Sequence, residues 1–270
     1  MGKFDGVLLV SDYDDTLYDH KHRIPERNLR ALEYFMAEGG RFTVATGRAR
    51  RTFAPQLPLV PINAPVVLSN GAGIHDFQTG ETLEATELHL GASQDLQQVL
   101  EAFPSLAMEA YHNEEIYVWN PNEITFEHLR KVGCDYTLAN PADMPEPWEK
   151  VILHQEHAVL LTARDMILER WGEKYEAIFS NHYYLELTRK GSTKGGMVVK
   201  VAKQLGIAPE HVYCVGDNQN DLSMLAVSAI PFAPANCAQE VKDWGARVLC
   251  HCNDGVIGDI IGILDERYSN

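Results

Sequence analysis

The sequence has little positive charge and no long apolar run, and each scarcity excludes a class of protein. Its 270 residues contain 23 Lys and Arg against 38 Asp and Glu, which gives a formal net charge of −15. Because affinity for a phosphate backbone comes from clustered Lys and Arg, this balance argues against a nucleic-acid-binding surface. No apolar run approaches the roughly 20 residues of a membrane helix, and the N-terminus lacks a basic segment followed by an apolar core. We therefore expect a cytoplasmic protein that binds neither nucleic acid nor membrane.

Cysteine is scarce as well, and its placement argues against disulfide bonds. The five cysteines are odd in number and scattered, which suits reduced thiols better than a disulfide framework. The Cys250-His251-Cys252 triplet is the one arrangement that suggests a metal. It lacks a second ligand pair at zinc spacing, and alternate residues on a strand would face opposite ways. We therefore expect no zinc site there.

The stretch from Ser11 to Leu17 is the part around which the rest of the chain is organised. An apolar run, 7–10, leads into it without a break and predicts a buried strand whose end delivers Asp12 and Asp14 into a loop. At this spacing both carboxylates lie on one side of the backbone, where they repel unless a cation or a proton intervenes. One carboxylate can attack phosphorus to give an aspartyl phosphate, while the other carries a proton. The alternative is a solvated, turn-forming acidic loop.

Strand and helix patterns alternate in the first 80 residues. Strands are predicted at 7–10, 41–45 and 65–69, with helices at 25–38 and 49–57 between them. A hairpin around Thr79-Gly80 is predicted to follow, at 74–83. This alternation predicts an α/β fold with a Rossmann-like parallel sheet, which places its chemistry at the carboxyl ends of the strands.

The pattern of apolar and polar residues changes between residues 82 and 187. Aromatic-rich alternating stretches at 115–119, 151–153 and 183–187 are interleaved with helical ones at 93–103, 123–132 and 163–171. We predict an inserted α+β cap domain at 82–187 that interrupts a catalytic core made of 1–81 and 188–270.

The strand and helix alternation returns after residue 188. A helix at 194–205, capped by Ser192-Thr193, precedes a buried strand at 211–215. Two further pairs are predicted, strands 229–232 and 247–250 with helices 238–244 and 256–264.

Polar residues follow four of the predicted core strands, where a parallel sheet would bring them together. These residues are Asp12 and Asp14, then Thr46, then Asn70, then Asp217, Asn220 and Asp221. Each motif alone is weak, because acidic loops, Thr-Gly pairs and Gly-Asp turns more often cap a helix than perform chemistry. Their order and their shared position at strand ends are harder to obtain by chance.

In these motifs the sequence resembles the haloacid dehalogenase superfamily, and within it the Cof-type sugar-phosphate phosphatases with a large inserted cap. The four matching motifs are Asp12-Tyr13-Asp14-Asp15-Thr16, Ala45-Thr46-Gly47-Arg48, Lys194 in Ser-Thr-Lys-Gly-Gly, and Gly-Asp-Asn-Gln-Asn-Asp from Gly216 to Asp221. The similarity extends to Ser69-Asn70-Gly71-Ala72 and to Asn253-Asp254-Gly255-Val256. It covers both core segments, while the cap matches in position and length more than in sequence.

The resemblance implies roles for these residues. Asp12 would be the nucleophile, Asp14 the acid and base, and Lys194 the neutralising cation. Mg²⁺ would bind the Asp12 carboxylate, the Asp14 backbone carbonyl and the Asp217 carboxylate, with Asp221 as an outer or water-mediated partner. Substrate would contact Thr46, Gly47, Asn70 and Asn220, although Asn70 could equally be a turn former. We expect Arg48 to be structural or loop-pairing, and His112, His154 and His182 in the cap to be surface or packing residues.

One residue departs from the family pattern. Asp15 stands where the family commonly has Gly, and Asp tolerates turn conformations, so the loop should survive. Whether this extra carboxylate alters metal affinity stays open.

The function that these residues favour is Mg²⁺-dependent hydrolysis of small phosphorylated metabolites, most simply sugar phosphates. A phosphosugar mutase and a phospho-ligand sensor without turnover are the alternatives. The expected partner is the small substrate, and the expected assembly is a monomer or a homodimer.

Overall fold

The computed structural model describes residues 2–21 and 23–269. The strands are β1 (Leu8–Ser11), β2 (Arg41–Val44), β3 (Val66–Leu68), β4 (Gly73–Asp76), β5 (Glu81–Ala85), β6 (Ala107–His112), β7 (Glu115–Trp119), β8 (Tyr136–Leu138), β9 (Lys150–His154), β10 (Tyr175–Asn181), β11 (Tyr184–Arg189), β12 (Val212–Val215), β13 (Pro231–Ala233) and β14 (Arg247–Val248). The helices are α1 (Glu26–Ala37), α2 (Arg50–Phe53), α3 (Ala92–Ala102), α4 (Glu123–Val132), α5 (His157–Trp171), α6 (Lys194–Gln204), α7 (Leu222–Leu225), α8 (Gln239–Trp244) and α9 (Val256–Arg267). Among the described residues, no helix is both long and apolar enough to cross a membrane.

The core is a parallel sheet in the order β14-β13-β12-β1-β2. β1 lies at its centre, where Ser11 is in register with Val44 of β2 and with Val215 of β12. β3 adjoins the β2 side through a parallel bridge between Ala45 and Val67. The carboxyl ends of these strands therefore meet at one edge, as the alternation of strands and helices predicted.

Helices cover both faces of this sheet, which explains why β1 is a continuous apolar run. Leu9 packs with α1 and α9 on one face, and Leu8 and Val10 pack with α6 and α7 on the other. All three side chains are fully buried. A strand covered on both faces reads as uninterrupted aliphatic residues because neither face meets water.

The chain between β2 and β3 is less helical than predicted. A helix at 49–57 was expected, but α2 ends at Phe53 and the next turn, Ala54–Leu59, is a 3₁₀ helix. Pro55 and Pro58 account for the difference, because proline lacks the backbone N–H that continues an α-helix. The predicted hairpin is confirmed, since β4 and β5 pair antiparallel around Thr79-Gly80.

The inserted unit, which we call the cap, contains a second sheet in the order β10-β11-β9-β6-β7-β8. Helices α3 and α5 pack on one face of it around Trp148, Leu160 and Ile167. Helix α4 packs on the other face, against a cluster with Tyr111 and Ile152 that also includes Ala49 of the core. The predicted class, an α/β core with an inserted α+β unit, is confirmed.

The boundaries of the cap at 82 and 187 stay a prediction. Hydrogen bonding joins all of β5 to β4 on the core side, and β11 continues to Arg189 in the cap sheet. The chain therefore leaves the core after β5 and returns to it after β11, near residues 82 and 187.

Candidate active site

Acidic residues from two distant parts of the chain meet at the carboxyl ends of β1 and β12. The Asp12 amide donates to the Val215 carbonyl (2.9 Å), which places the first acidic loop beside the second. Carboxylate oxygens of Asp12, Asp217 and Asp221 lie within 4.8 Å of one another. The structure thus brings together the three carboxylates that the strand pattern predicted to converge.

Lys194 lies between two of these carboxylates. Its Nζ is 2.6 Å from Asp12 Oδ1 and 2.6 Å from Asp221 Oδ1, and its side chain is fully buried. The residue opens α6, whose N-terminus is capped by Thr193 through a hydrogen bond from the Gly196 amide (3.1 Å). A lysine at this positive end of a helix is favourable only beside anions, and here it has two.

A glycine lets the N-terminus of α6 approach the acidic residues. Gly71 has a φ of +103°, and a Cβ at this position would lie 2.3 Å from the carbonyl carbon of Thr193. The turn after β3 can therefore touch the start of α6 only while residue 71 has no side chain. This contact positions Lys194.

Burial and mutual repulsion raise the pKa values of two of these carboxyl groups, Asp12 and Asp217. Burial raises the pKa of Asp12 more than the Lys194 charge lowers it, and Asp221 raises it further. Burial and the nearby Asp12 charge raise the pKa of Asp217 well above its usual value. Carboxylates in this state are stabilised in the ionised form by a cation, and oxygen ligands of this kind are those that Mg²⁺ prefers. The donor set of Asp12 and Asp217 therefore fits Mg²⁺.

Asp221 differs from the other two carboxylates, because its oxygens already have partners. Oδ1 contacts Lys194, and Oδ2 accepts hydrogen bonds from the amides of Asp217 (2.9 Å) and Asn218 (3.0 Å). A Cβ on Gly216 would lie 2.4 Å from the Asp221 side chain, so the loop closes tightly around this carboxylate. These contacts suit the outer, positioning role expected for Asp221 better than direct contact with a metal. Asp217 is oriented separately, by a hydrogen bond from Thr16 Oγ1 (3.0 Å).

Asp14 faces two cations, one from the core and one from the cap. Arg48 binds it through two hydrogen bonds, Nε to Oδ2 (2.9 Å) and Nη2 to Oδ1 (2.8 Å), and Lys131 of α4 lies 3.3 Å from Oδ1. Burial raises the pKa of Asp14, but the Arg48 hydrogen bonds and the Lys131 charge outweigh burial and lower it to about 2. Asp14 is therefore ionised in this arrangement. Arg48 therefore pairs with a loop, as expected, and this loop carries Asp12 and Asp14.

The backbone explains why the family commonly has Gly at position 15. Asp15 has a φ of 61°, in the left-handed region that glycine enters without cost. Asp is among the residues that tolerate this region, so the turn forms with an aspartate. Asn236 Nδ2 donates to the Asp15 carbonyl (2.8 Å), which fixes the turn against the loop after β13.

Of the four predicted substrate residues, Gly47 and Asn220 line the cavity beside the carboxylates, whereas Thr46 and Asn70 are buried behind them. The Asn70 amide donates to the Thr46 carbonyl (3.0 Å), and Asn220 Nδ2 donates to Asn70 Oδ1 (3.0 Å). Asn70 Nδ2 is buried with no hydrogen-bond partner among the described residues, and a Cβ on Gly47 would lie 3.1 Å from it. An unpaired buried donor costs about 1–3 kcal/mol, so a ligand oxygen beside Gly47 would be stabilising. Asn70, with a φ of 54°, is both turn former and candidate ligand contact.

The cap closes over this edge and encloses a cavity of about 140 Å³. Lys150 of β9 joins the two units, since its Nζ donates to the Gly47 carbonyl (2.7 Å) and to Glu186 Oε2 (3.0 Å). The same ammonium lies 4.7 Å from the centre of the Tyr111 ring. The core side of the cavity is acidic and the cap side carries Lys131, His128 and Lys150.

One cap histidine is a packing residue, as expected, but in a charged setting. His154 is fully buried, with Nε2 3.1 Å from Glu109 Oε1, and His128 Nδ1 lies 2.9 Å from the same oxygen. Burial raises the pKa of Glu109, yet the His128 charge and hydrogen bonds from both imidazoles lower it further than burial raises it. Glu109 thus holds His128 in place at the cavity wall.

Sequence reasoning missed the basic residues that the cap contributes. Lys131, Lys150 and Glu186, the partner of Lys150, belong to elements with no recognisable motif, and only the folded arrangement places them at the cavity. The one available signal is the Lys150-Val-Ile-Leu run, in which a lysine opens an otherwise buried strand.

Known proteins are similar to this chain in sequence. A model of the haloacid dehalogenase-like hydrolase family matches residues 9–261. A 5-amino-6-(5-phospho-D-ribitylamino)uracil phosphatase of Bacillus subtilis is 24% identical over 89% of this chain and 90% of its own length. A pyridoxal phosphate phosphatase of Escherichia coli is 23% identical over 87% of this chain and 90% of its own.

Solved structures have the same architecture. A sugar phosphatase of haloacid dehalogenase subclass IIB superposes with a TM-score of 0.84 at 20% identity, covering 95% of this chain and 98% of that chain. The chain therefore belongs to the haloacid dehalogenase-like hydrolases, in the Cof-type branch with an inserted cap, as its motifs predicted.

Proposed function

We propose that this hydrolase is a Mg²⁺-dependent phosphatase that releases phosphate from small phosphorylated metabolites through an aspartyl phosphate at Asp12. The observation that carries the proposal is the position of Asp12, which lies between Lys194 and Asp217 at the floor of a cavity with a basic cap. A nucleophile that contacts Lys194 and would share Mg²⁺ with Asp217 can approach an anionic phosphoryl group.

The metal would be held by the carboxylates of Asp12 and Asp217 and by the backbone carbonyl of Asp14. When bound, it would neutralise negative charge on the nucleophile and the phosphoryl group. Asp221 would position the loop of Asp217 and hold Lys194.

In the proposed reaction, two side chains of this protein take part in the bond changes. An Asp12 oxygen forms a bond to phosphorus while the bond from phosphorus to the leaving oxygen breaks. Asp14 gives a proton to that oxygen, then takes a proton from the water that attacks the aspartyl phosphate. The bond between the Asp12 oxygen and phosphorus breaks, so that phosphate leaves and the carboxylate is restored.

Asp14 can bind a proton only after its two cations also contact the phosphoryl group of the substrate. Arg48 and Lys131 hold it ionised in the structure. A phosphoryl dianion in the cavity competes for both cations and repels the carboxylate, and both effects raise the pKa of Asp14. Thr46, Gly47, Asn70 and Asn220 would bind phosphoryl or neighbouring oxygens.

The size and polarity of the cavity support a small substrate. About 140 Å³ accommodates the phosphoryl group and a compact leaving group. The relatives act, by their names, on a phosphoribityl uracil, on pyridoxal phosphate and on sugar phosphates, all of them small phosphate monoesters. Sugar phosphates are our first candidates. A cytoplasmic location and a monomer or homodimer stay predictions.

A panel of phosphorylated metabolites, assayed for phosphate release with and without Mg²⁺, tests the proposal. We expect stoichiometric release from at least one sugar phosphate, and loss of release after chelation. A phosphosugar mutase would instead return an isomeric phosphate ester. Tight binding of esters without release of either product would favour the phospho-ligand sensor, and either result would overturn the proposal.

A further inference from the structure

A second set of metal-ligating side chains lies on the core, away from the catalytic carboxylates. One ligand atom each of His20, His251 and Cys252 lies within 4.8 Å of the others. His20 comes from the loop that follows the nucleophile, and His251 and Cys252 precede α9. Cys252 is fully buried, whereas about half of the His20 side chain is exposed. A cation could therefore enter from solvent and reach a buried sulfur.

Cys250, His251 and Cys252 do not continue the predicted strand, on which alternate residues would face opposite ways. The strand β14 ends at Val248, and Cys252 begins a short 3₁₀ turn with His251 as its N-cap. Cys250 points elsewhere, with its Sγ 3.7 Å from Arg27 Nη1. The missing ligand is supplied by a residue more than 200 positions away in sequence.

One separation within this set, and one between His20 and Asp15, equal the distance between neighbouring ligand atoms of a tetrahedral zinc site. Cys252 Sγ lies 3.5 Å from His251 Nδ1, and His20 Nε2 lies 3.5 Å from Asp15 Oδ1. In a tetrahedron with Zn–S of about 2.3 Å and Zn–N or Zn–O of about 2.0–2.1 Å, neighbouring ligand atoms are about 3.3–3.6 Å apart. The remaining separations within the set are below 4.8 Å, so a small movement of the His20 loop would complete the coordination.

The hydrogen bonds show where a cation would enter. His251 Nδ1 accepts the Asn253 amide hydrogen (3.1 Å), so this nitrogen carries a lone pair, and it faces the Cys252 thiol. A bound cation would replace the thiol proton and take over the lone pair. The His20 amide donates to Asn253 Oδ1 (3.1 Å), which holds both loops together.

We propose that His20, His251 and Cys252 bind one zinc-class divalent cation, with the Asp15 carboxylate beside it. A thiolate and one carboxylate balance the two positive charges. Sulfur and imidazole ligands select zinc-class ions over Mg²⁺, which prefers the oxygen ligands of the catalytic group. The carboxylate is that of Asp15, whose left-handed backbone places it beside His20.

Occupation of this site would tie the loop after the nucleophile to the segment before α9. Asn236 already connects these parts, since its Nδ2 donates to the Asp15 carbonyl (2.8 Å) and its Oδ1 accepts from the Cys252 amide (3.0 Å). Cation binding would reinforce this connection at Asp15, the residue that follows the proposed proton carrier Asp14.

Cobalt substitution of the whole chain tests the site. Metal-free protein is titrated with Co²⁺ in excess Mg²⁺, and thiolate-to-cobalt charge transfer is followed in the near ultraviolet. We expect the wild type to bind one equivalent of Co²⁺ with this absorption. Zn²⁺ should displace the bound Co²⁺, whereas Mg²⁺ should not. Cys252→Ser should abolish the absorption, and Cys250→Ser, the matched control, should retain it.

Two further variants separate binding from folding. His251→Asn keeps a side-chain oxygen that can cap the turn but removes the ligand nitrogen, and should also lose the absorption. His20→Asn changes an exposed side chain and should weaken Co²⁺ binding by about 10-fold or more. Circular dichroism checks that each variant is folded. Absence of the absorption in wild type, its persistence in Cys252→Ser, or its loss in Cys250→Ser would overturn the proposal.

Discussion

At the residue scale, the cations around Asp14 bear most directly on the proposed proton transfer. Arg48 belongs to the same motif as Thr46, but Lys131 comes from the cap and reaches Asp14 across the cavity. The proposed proton carrier thus contacts cations of both units. A substrate that enters between the cap and the core must exchange contacts with both cations.

We predict that Lys131→Met lowers kcat/KM by about 10-fold, which corresponds to the loss of one ionic contact of about 1.4 kcal/mol. The preceding residue, Arg130, provides the control. It lies on the same helix with an exposed side chain, 3.9 Å from Glu123, so Arg130→Met should leave kcat/KM unchanged. Steady-state kinetics on one phosphate ester compares the two variants. Equal values for Lys131→Met and wild type would remove Lys131 from the site.

The residues that could be predicted from the sequence are those that follow core strands. Asp12 and Asp217 meet because a parallel sheet brings the ends of its strands to one edge, and apolar runs predict those strands. Lys194 follows no core strand, and only the resemblance of its motif to the family pointed to it. Lys131 and Lys150 could not be found in this way. Their place depends on how the cap docks, and no local pattern encodes that.

At the element scale, the contact between the turn after β3 and the start of α6 fixes Lys194. Gly71→Ala would bring a methyl group within 2.3 Å of the Thr193 carbonyl carbon, at a φ that Ala rarely adopts. Gly80→Ala is the matched control, since its φ is +77° but nothing lies within 4 Å of the added Cβ. Both variants carry the backbone cost of about 1–2 kcal/mol.

We therefore predict that both variants lose stability, and that only Gly71→Ala also loses activity, by about 10-fold or more, because Lys194 moves with α6. Thermal unfolding and kcat/KM measured on the same samples separate the two effects. Unchanged activity in Gly71→Ala would show that this contact does not position Lys194.

Cap elements were predicted less completely than core elements. β6 was missed because its residues are buried on both faces, so that its sequence, Ala-Met-Glu-Ala-Tyr-His, does not alternate. The strand β8 is three exposed residues at a sheet edge, too short to give a pattern. Helix α5 begins at His157 rather than 163, because apolar residues are spread around its first turns instead of forming one face.

At the scale of the whole molecule, buried ion pairs make stability depend on pH. Burial raises the pKa of Glu186, but the Lys150 charge together with hydrogen bonds from Ser180 and Lys150 outweighs burial, and the pKa is lowered. The unfolded chain therefore binds more protons at Glu186 than the folded one in acid. This contribution to the free energy of unfolding is complete above about pH 4.5 and is lost as pH falls below that value.

We predict that, below about pH 4.5, the free energy of unfolding falls more steeply with decreasing pH in the wild type than in Glu186→Gln. The two slopes should differ by at most the equivalent of one bound proton, or about 1.4 kcal/mol per pH unit. Urea unfolding at a series of pH values measures this. Glu176→Gln, which removes an acid on the neighbouring strand, is the control and should follow the wild type more closely. A steeper acid loss in Glu186→Gln would contradict the assignment.

The whole account depends on Asp12 receiving the phosphoryl group. Rapid acid quench of wild-type enzyme during turnover of a ³²P-labelled ester, followed by peptide mapping, tests this directly. We expect label on the peptide that contains Asp12, formed before free phosphate appears, and none in Asp12→Asn. Label on another residue, or wild-type turnover by Asp12→Asn, would contradict the account.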